Sequence, residues 1–472
     1  MECEAQIQGS ATTEVTTLQS LSYLALNGSL GTGFKEESLE RGLERPLAFL
    51  GADSGSTDGG PFYLGTGEWI WTTTAYERDL RLGLLGARRL GIPLIIGSCG
   101  GGGTDSAVDG YAAMVDRIAS EHGLSVRVAC VYTEPSRDLL VEKYRAHKLR
   151  PLPGAPAISE DTLRQPGHIV AMAGAEPIQD AVAEGADVVL LGRCADAAIF
   201  AALPLARGFD PGPVWNAAKI VECGSAAATN RTGQDSILCT IEEDGFVLEP
   251  LDPRLRCTPA SVAAHTLYET ADPYRLIMPS GTLDARTATY EALDDRRVKV
   301  RGGTFTDAPD YTAKLEGAAP VGYLSSFWGS IRDRVILSQL PSWCESLQDQ
   351  IHTRLGGTWG NAYRFDLKVY GANGTTGEKT DAVPREAVIV FDLVGETQEE
   401  ASGMARAAYH VALHWPVPEW RAGSITTFAH PYSAPVVDRG QVFRFTLNHQ
   451  LVLDEGERRQ VFRTVMQEMG AR

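Results

Sequence analysis

Long hydrophobic runs are missing from the 472 residues. No stretch approaches the roughly 18 apolar residues of a membrane span. The opening MECEAQIQGSATTEVTTLQ is acidic and polar, where a secretory signal would be basic and then apolar. A cytoplasmic protein with no membrane partner is expected. Positive charge is also short, since 43 Lys and Arg against 60 Asp and Glu leave a net charge of −17. No basic cluster reverses that locally, so nucleic acid is not expected as a partner. The eight cysteines (3, 99, 130, 194, 223, 239, 257, 344) are scattered without a CxxC pair. That excludes a zinc-ribbon pattern and a disulfide framework, and leaves reduced, mostly buried thiols. The GxxxxGK[ST] loop is absent, and no GxGxxG is followed by the acidic residue that would bind a ribose, so ATP and dinucleotides are excluded. There is no internal repeat.

What remains is an ordinary globular composition, 43% hydrophobic and 22% charged. At about 100 to 200 residues per domain, the length calls for two or three units. After a loose leader (residues 1–20), short apolar runs alternate with amphipathic segments. The runs are YLAL (23–26), PLAFL (46–50), PLIIG (93–97), VRVACVY (126–132), HIVAMAG (168–174) and DVVLLG (187–192). Each is apolar on both faces, as parallel strands covered on both sides must be, and segments such as YERDLRLGLLGARRLG between them have helical periodicity. This predicts a doubly wound, mostly parallel α/β sheet over residues 20–210, with a closed parallel barrel as the alternative.

Past residue 235 the pattern turns to hairpins. ILCTIEEDGFVLEPL holds an Asp-Gly turn and RRVKVRGGTFTDA a Gly-Gly turn, which predicts an antiparallel extension and a first domain over 21–358. Residues 362–472 read strand, strand, helix, strand and a closing helix (DEGERRQVFRTVMQEM), a small separate α+β domain.

In open α/β sheets, ligands bind beyond the carboxyl ends of the strands, where loops converge and helix N-termini present free N–H groups. Polar residues should therefore collect behind each run, and they do. Asp53, Ser54, Ser56, Thr57 and Asp58 follow PLAFL, while Ser98 and the glycines from Gly100 to Gly103 follow PLIIG. Glu134 follows VRVACVY, and Arg193 and Asp196 follow DVVLLG. Asp53 and Asp58 form a carboxyl pair suited to proton transfer, because one of two close carboxyls can be held neutral. With Glu134 or Asp196 the same pair would equally suit Mg²⁺. Arg193 fits the anionic end of a substrate, and Gly100, Gly101 and Gly102 would let backbone N–H groups approach it, alongside Ser54, Ser56, Thr57 and Ser98.

Elsewhere, His265 and Glu269 are spaced one helical turn apart, as an acid/base couple, two metal ligands or a structural pair. Lys314 and Glu316 share a strand face, as an ion pair or as charges turned to the site, and Lys314 joins the candidate binding residues. Cys223 is read as a small buried side chain rather than a nucleophile. His410, His414 and His430 are given structural roles.

These motifs carry a resemblance. LGTGF, DSGSTDGGPFYLG, RDLR, GIPLIIGS, ADVVLLGRCADAAIFAA, ECG, RCTPASVAAHTLYE, DPYRL and YTAKLEGA occur in order over residues 28–334. Together they resemble the acyclic terpene utilisation (AtuA) family, and residues 362–472 resemble its frequent ferredoxin-like companion domain. The resemblance implies catabolism of branched acids as coenzyme A esters and names no reaction. The expected function is acid/base chemistry of the lyase or hydratase type on a small carboxylic acid or its thioester, by a homo-oligomer. The alternatives are hydrolysis of an ester, lactone or amide, and a non-catalytic ligand-binding or assembly subunit.

Overall fold

The computed structural model describes residues 20–266, 268–269, 272–360, 363–378, 382–417, 433–454 and 456–471. The expected leader, apart from residue 20, and His430 lie outside the described residues. The chain divides into two compact units, Met1–Gly317 with Phe445–Arg472, and Ala318–Arg444. This differs from the expected division at 358 and 362: the second unit starts earlier, and the chain's last segment returns to the first.

The first unit is built on β1 (Leu21–Ala25), β2 (Leu47–Asp53), β3 (Leu94–Gly97), β4 (Ser125–Tyr132), β5 (Leu149–Pro151), β6 (His168–Ala171) and β7 (Val188–Leu191). Five of these run parallel in the spatial order β1, β2, β3, β7, β4. Antiparallel strands extend the sheet beyond β1, beginning with Ile237–Glu242 and Gly245–Pro250, which meet at the Asp-Gly turn. The sheet is open, with edges at Thr289–Ala292 and Arg463–Gly470, so the barrel alternative is excluded.

Alternate side chains feed two cores. Leu21, Tyr23 and Ala25 pack with the helices Asp196–Ala206 and Pro211–Val221 on one face. Leu24 and Leu26 pack with Thr73–Leu90 and Asp105–Glu121 on the other. That is the doubly wound α/β arrangement with an antiparallel extension, and it explains why LIIG and VVLL are buried along their whole length.

Three local expectations are corrected. HIVAMAG forms β6 but does not enter the large sheet. It pairs with the strand that starts at Tyr311, Met172 N–H donating to the Lys314 carbonyl at 2.8 Å. Both neighbouring places beside β4 are already filled, by β7 and by Arg463–Gly470. The expected closing helix is mostly that last strand, because RTVMQEMG completes the open edge of β4 with eight residue pairs from Arg463↔Tyr132 to Gly470↔Ser125. Lastly, VKVR and TFTD do not form a hairpin. Gly302 and Gly303 (φ 81° and 91°) carry the chain out of the large sheet into a separate one, Arg275–Met278, Gly281–Asp284 and Thr304–Asp307.

The second unit pairs residues 323–331 with Ala387–Gly395, and that strand with Arg364–Tyr370, all antiparallel. The helices Leu340–Trp359 and Gln398–His414 bury Leu347, Ile351, Met404 and Ala408 in one core with Phe327 and Phe391. It is an α+β unit, but its first strand precedes the expected boundary. Among the described residues no helix is long and apolar enough to cross a membrane.

Candidate functional site

Asp53 ends β2 and is 2% exposed. Its Oδ2 accepts the Gly55 N–H at 2.7 Å, while Oδ1, near Ser98, makes no hydrogen bond of normal geometry. Two residues past β7, the Arg193 N–H donates to Thr133 Oγ1 at 2.7 Å, which pins the loop to the end of β4. The Arg193 guanidinium is buried. Its Nε donates to Glu316 Oε2 at 2.7 Å and its Nη1 to Ser98 Oγ at 3.1 Å. Lys314 Nζ and Thr57 Oγ1 donate to the other oxygen of Glu316, at 2.7 and 3.1 Å. Asp196, first residue of its helix, lies 3.9 Å from Arg193 Nη1. Four strand-end loops and one neighbouring strand thus meet around one buried arginine.

Beside it opens a cavity of about 480 Å³. Its charged side is formed by Asp58, Arg193, Asp196, Lys219, Glu222 and Glu269, with Ser56 at the same wall. Its apolar side is formed by Met172, Leu276, Ile277, Met278 and Pro279. Lys219 and Glu222 come from the end of the helix Pro211–Val221 and form a buried ion pair three residues apart. A lysine in the last turn suits the negative end of the helix dipole.

The surroundings drive these carboxyls in opposite directions. Burial raises Glu316, but Arg193 and Lys314 overcome it and hold it at about 2. Burial pushes Glu222 up to about 8 against the opposing pull of Lys219, with Asp196 adding to the rise. Burial and the charge of Asp196 raise Asp53 well above the usual carboxylate range, Arg193 opposing. Asp196 is raised by burial, with Arg193 and Lys219 opposing. Burial works against the charge on Lys219, yet Glu222 holds its pKa above the ordinary value. The arrangement sets a carboxylate held in its charged form, Glu316, beside Glu222, which can carry a proton near neutral pH, and beside Asp53 and Asp196, whose proton affinities are raised.

Several expected residues are placed elsewhere. Asp53 does not face the cavity with Asp58; the carboxyl that acts on it is Asp196, so the expected Asp53–Asp58 pair is not formed. Glu134 pairs with His168, Oε1 to Nδ1 at 2.6 Å, and does not line the cavity. The Ser54 hydroxyl is buried against Tyr111 Oη at 3.0 Å.

Gly100, Gly101 and Gly102 present no anion cradle. Residues 98–103 are buried, and the N–H groups of Gly101 and Gly103 are taken by the carbonyls of Ser98 and Cys99. Glycine is required there for close packing: a Cβ on Gly101 would lie 2.3 Å from the Ile70 side chain, and one on Gly100 2.8 Å from Trp69. His265 and Glu269 are not one turn apart on a helix. The helix ends at Thr266, Glu269 has φ 56°, and His265 stacks on Tyr268 with ring centroids 5.2 Å apart. Burial and Glu222 push the Cys223 thiol well up, which disarms it as a nucleophile. In the second unit, the His410 and His414 rings contact each other at 5.3 Å.

Among the described residues no three His, Cys, Asp or Glu side chains are grouped so as to hold a metal ion. Of the carboxyls expected to bind Mg²⁺, Asp58 and Asp196 line the cavity, with Asp196 turned to Arg193, while Glu134 is turned to His168 and Asp53 is buried away from the cavity. The donor set does not fit that ion.

Lys219, Glu222 and the 276–279 wall were not expected, and Glu269 was expected only as the partner of His265. One signal for the pair was legible, since AAKIVECG places a lysine and a glutamate within an otherwise small and apolar helix end. Such charges are buried only when paired.

The family model described as acyclic terpene utilisation family protein AtuA matches residues 86–229 and 238–437. No curated protein and no solved structure matches the chain.

Proposed function

The chain belongs to the acyclic terpene utilisation (AtuA) family, and from that premise we propose that it is an enzyme that adds or removes water across a carbon–carbon bond of a small carboxylic acid or its thioester. One observation carries this reading: a half-apolar cavity in which a buried arginine and a buried lysine face Asp196, whose proton affinity burial raises, and Glu222, raised to about 8. Arg193 Nη2 has no acceptor among the described residues, because Nε and Nη1 are committed to Glu316 and Ser98. With Lys219 it binds and polarises the acyl oxygen. Asp196 takes the proton from the carbon next to the carbonyl, and protonated Glu222 gives its proton to the hydroxyl leaving the following carbon, so that water departs. Proton count balances over the two carboxyls, and addition runs by the reverse steps.

The test is a panel of 3-hydroxyacyl and 2-enoyl acids and thioesters, followed by the absorbance of the conjugated double bond. Glu222→Gln is expected to lower turnover by about a hundredfold, the typical contribution of a general acid. It should also remove the alkaline fall of the rate near the Glu222 pKa of about 8. Tight binding of acids without turnover of any panel member would overturn the enzyme reading in favour of a ligand-binding subunit.

A further inference from the structure

Ile277 is 75% exposed, far more than the other large apolar side chains of the cavity wall, although it lines the apolar side of the cavity. It sits at the tip of the hairpin Arg275–Met278 and Gly281–Asp284, paired with Thr282, two residues from the Pro279-Ser280 turn. The hairpin is held firmly from behind. A Cβ on Gly281 would lie 2.4 Å from the Thr306 carbonyl and 2.5 Å from the Phe305 ring. Phe305 in turn stacks on Trp215 (centroids 5.7 Å) of the helix that carries Lys219. The turn is tied down by the Thr312 N–H donating to the Pro279 carbonyl at 3.0 Å. Ile277 is therefore displayed by a buttressed wall and not by a loose loop, and the wall is packed onto the element that supplies one of the two cations.

An isoleucine left this exposed keeps most of its apolar surface in water, and continuity with the charged end says what would cover it. A molecule whose carboxyl or thioester carbonyl sits at Arg193 and Lys219 must send its other end along Met172, Leu276 and Met278 toward Ile277. We propose that Leu276, Ile277 and Met278 form the subsite for the aliphatic chain of the substrate, with Ile277 selecting medium-length chains over short ones. This rests on the site binding an aliphatic acid or its thioester.

The test is the affinity of the full-length protein for straight-chain carboxylates from acetate to octanoate, by calorimetry or by competition. Each added methylene is expected to tighten binding about threefold to fourfold, as burial of a CH₂ predicts, until the chain has passed Ile277. Ile277→Ser should cut the octanoate-to-acetate affinity ratio by about tenfold, while its melting temperature stays near that of the parent because the side chain is exposed. An Ile277→Leu variant should restore the ratio. Equal affinity for every length, or an unchanged ratio in Ile277→Ser, overturns the subsite and leaves acid binding at Arg193 standing. A change in oligomeric state with an unchanged ratio also overturns it and identifies the hairpin tip as a self-association surface. Failure of the parent to bind any of the acids overturns the acid reading and the subsite together.

Discussion

The loops that follow β3 and β7 lie at the same carboxyl edge of the sheet and behave as opposites. SCGGGG after β3 is richer in glycine and was the better candidate for cradling an anion, yet it is buried beneath Trp69 and Ile70, and the N–H groups of Gly101 and Gly103 are taken by the loop's own carbonyls. GRCAD after β7 has one glycine, and it delivers Arg193 and Asp196 to the cavity. The difference lies in what covers each loop. The segment that leads from Asp53 to Trp71 folds over the first and leaves the second open beside the hairpin of residues 275–284. Local sequence allows a loop to approach a ligand, but the next layer of structure decides whether anything is left to approach.

That contrast can be broken most forcefully at Arg193. Arg193→Met leaves Glu316 buried with only Lys314 and Thr57 to compensate it, and stability is expected to fall by about 3–5 kcal/mol, the cost of orphaning a buried charge. A denaturant melt of Arg193→Met and of the double variant Arg193→Met/Glu316→Gln checks this. The double variant should recover part of the loss, and equal losses would mean that the pair is not coupled.

Acid provides the next largest effect. Glu316 is held at about 2 in the folded chain against an ordinary value of 4.5. Its stabilisation is therefore present in full above about pH 4.5 and is lost as pH falls through the folded value. The contribution is about 3 kcal/mol. Glu316→Gln should show a correspondingly flatter stability profile between pH 5 and the acid limit of folding. An identical slope for parent and variant would refute the assignment.

The smallest effect sharpens the comparison from the other loop. Gly101→Ala places a Cβ against Ile70 in a backbone conformation of φ 97°, at a cost of about 1–3 kcal/mol for strain in that region. Because this loop packs and does not bind, the variant that remains folded should keep its affinity for acids within about twofold, a change of less than about 0.5 kcal/mol. A selective loss of affinity with stability intact would return the loop to the binding site.

Much of the architecture was legible because it depends on local rules. Two-faced apolar runs such as LIIG and VVLL can be satisfied only inside a sheet covered on both sides, and the polar residues behind them had to reach its carboxyl edge. Asp196, Arg193, Ser56 and Asp58 were found in that way. Glu134 was assigned to the same edge correctly but to the wrong partner, because its pairing with His168 depends on where β6 goes, and β6 goes to a strand 140 residues later in the chain.

The remaining features are long-range. RTVMQEMG has enough helix formers to read as a helix in isolation, and it is a strand because β4 offered an unpaired edge whose backbone groups needed partners. Lys219 and Glu222 are ionisable residues in an apolar helix end, and only the closing of the cavity by Asp196, Glu269 and the hairpin turns them from a helix pair into groups with altered proton affinity. Hydrophobic period and turn chemistry act over a few residues, so sequence alone sets the layers and the edge where chemistry can occur. Burial and charge coupling act through space between distant segments, so only the folded chain settles which carboxyls hold protons and which glycines are merely packed.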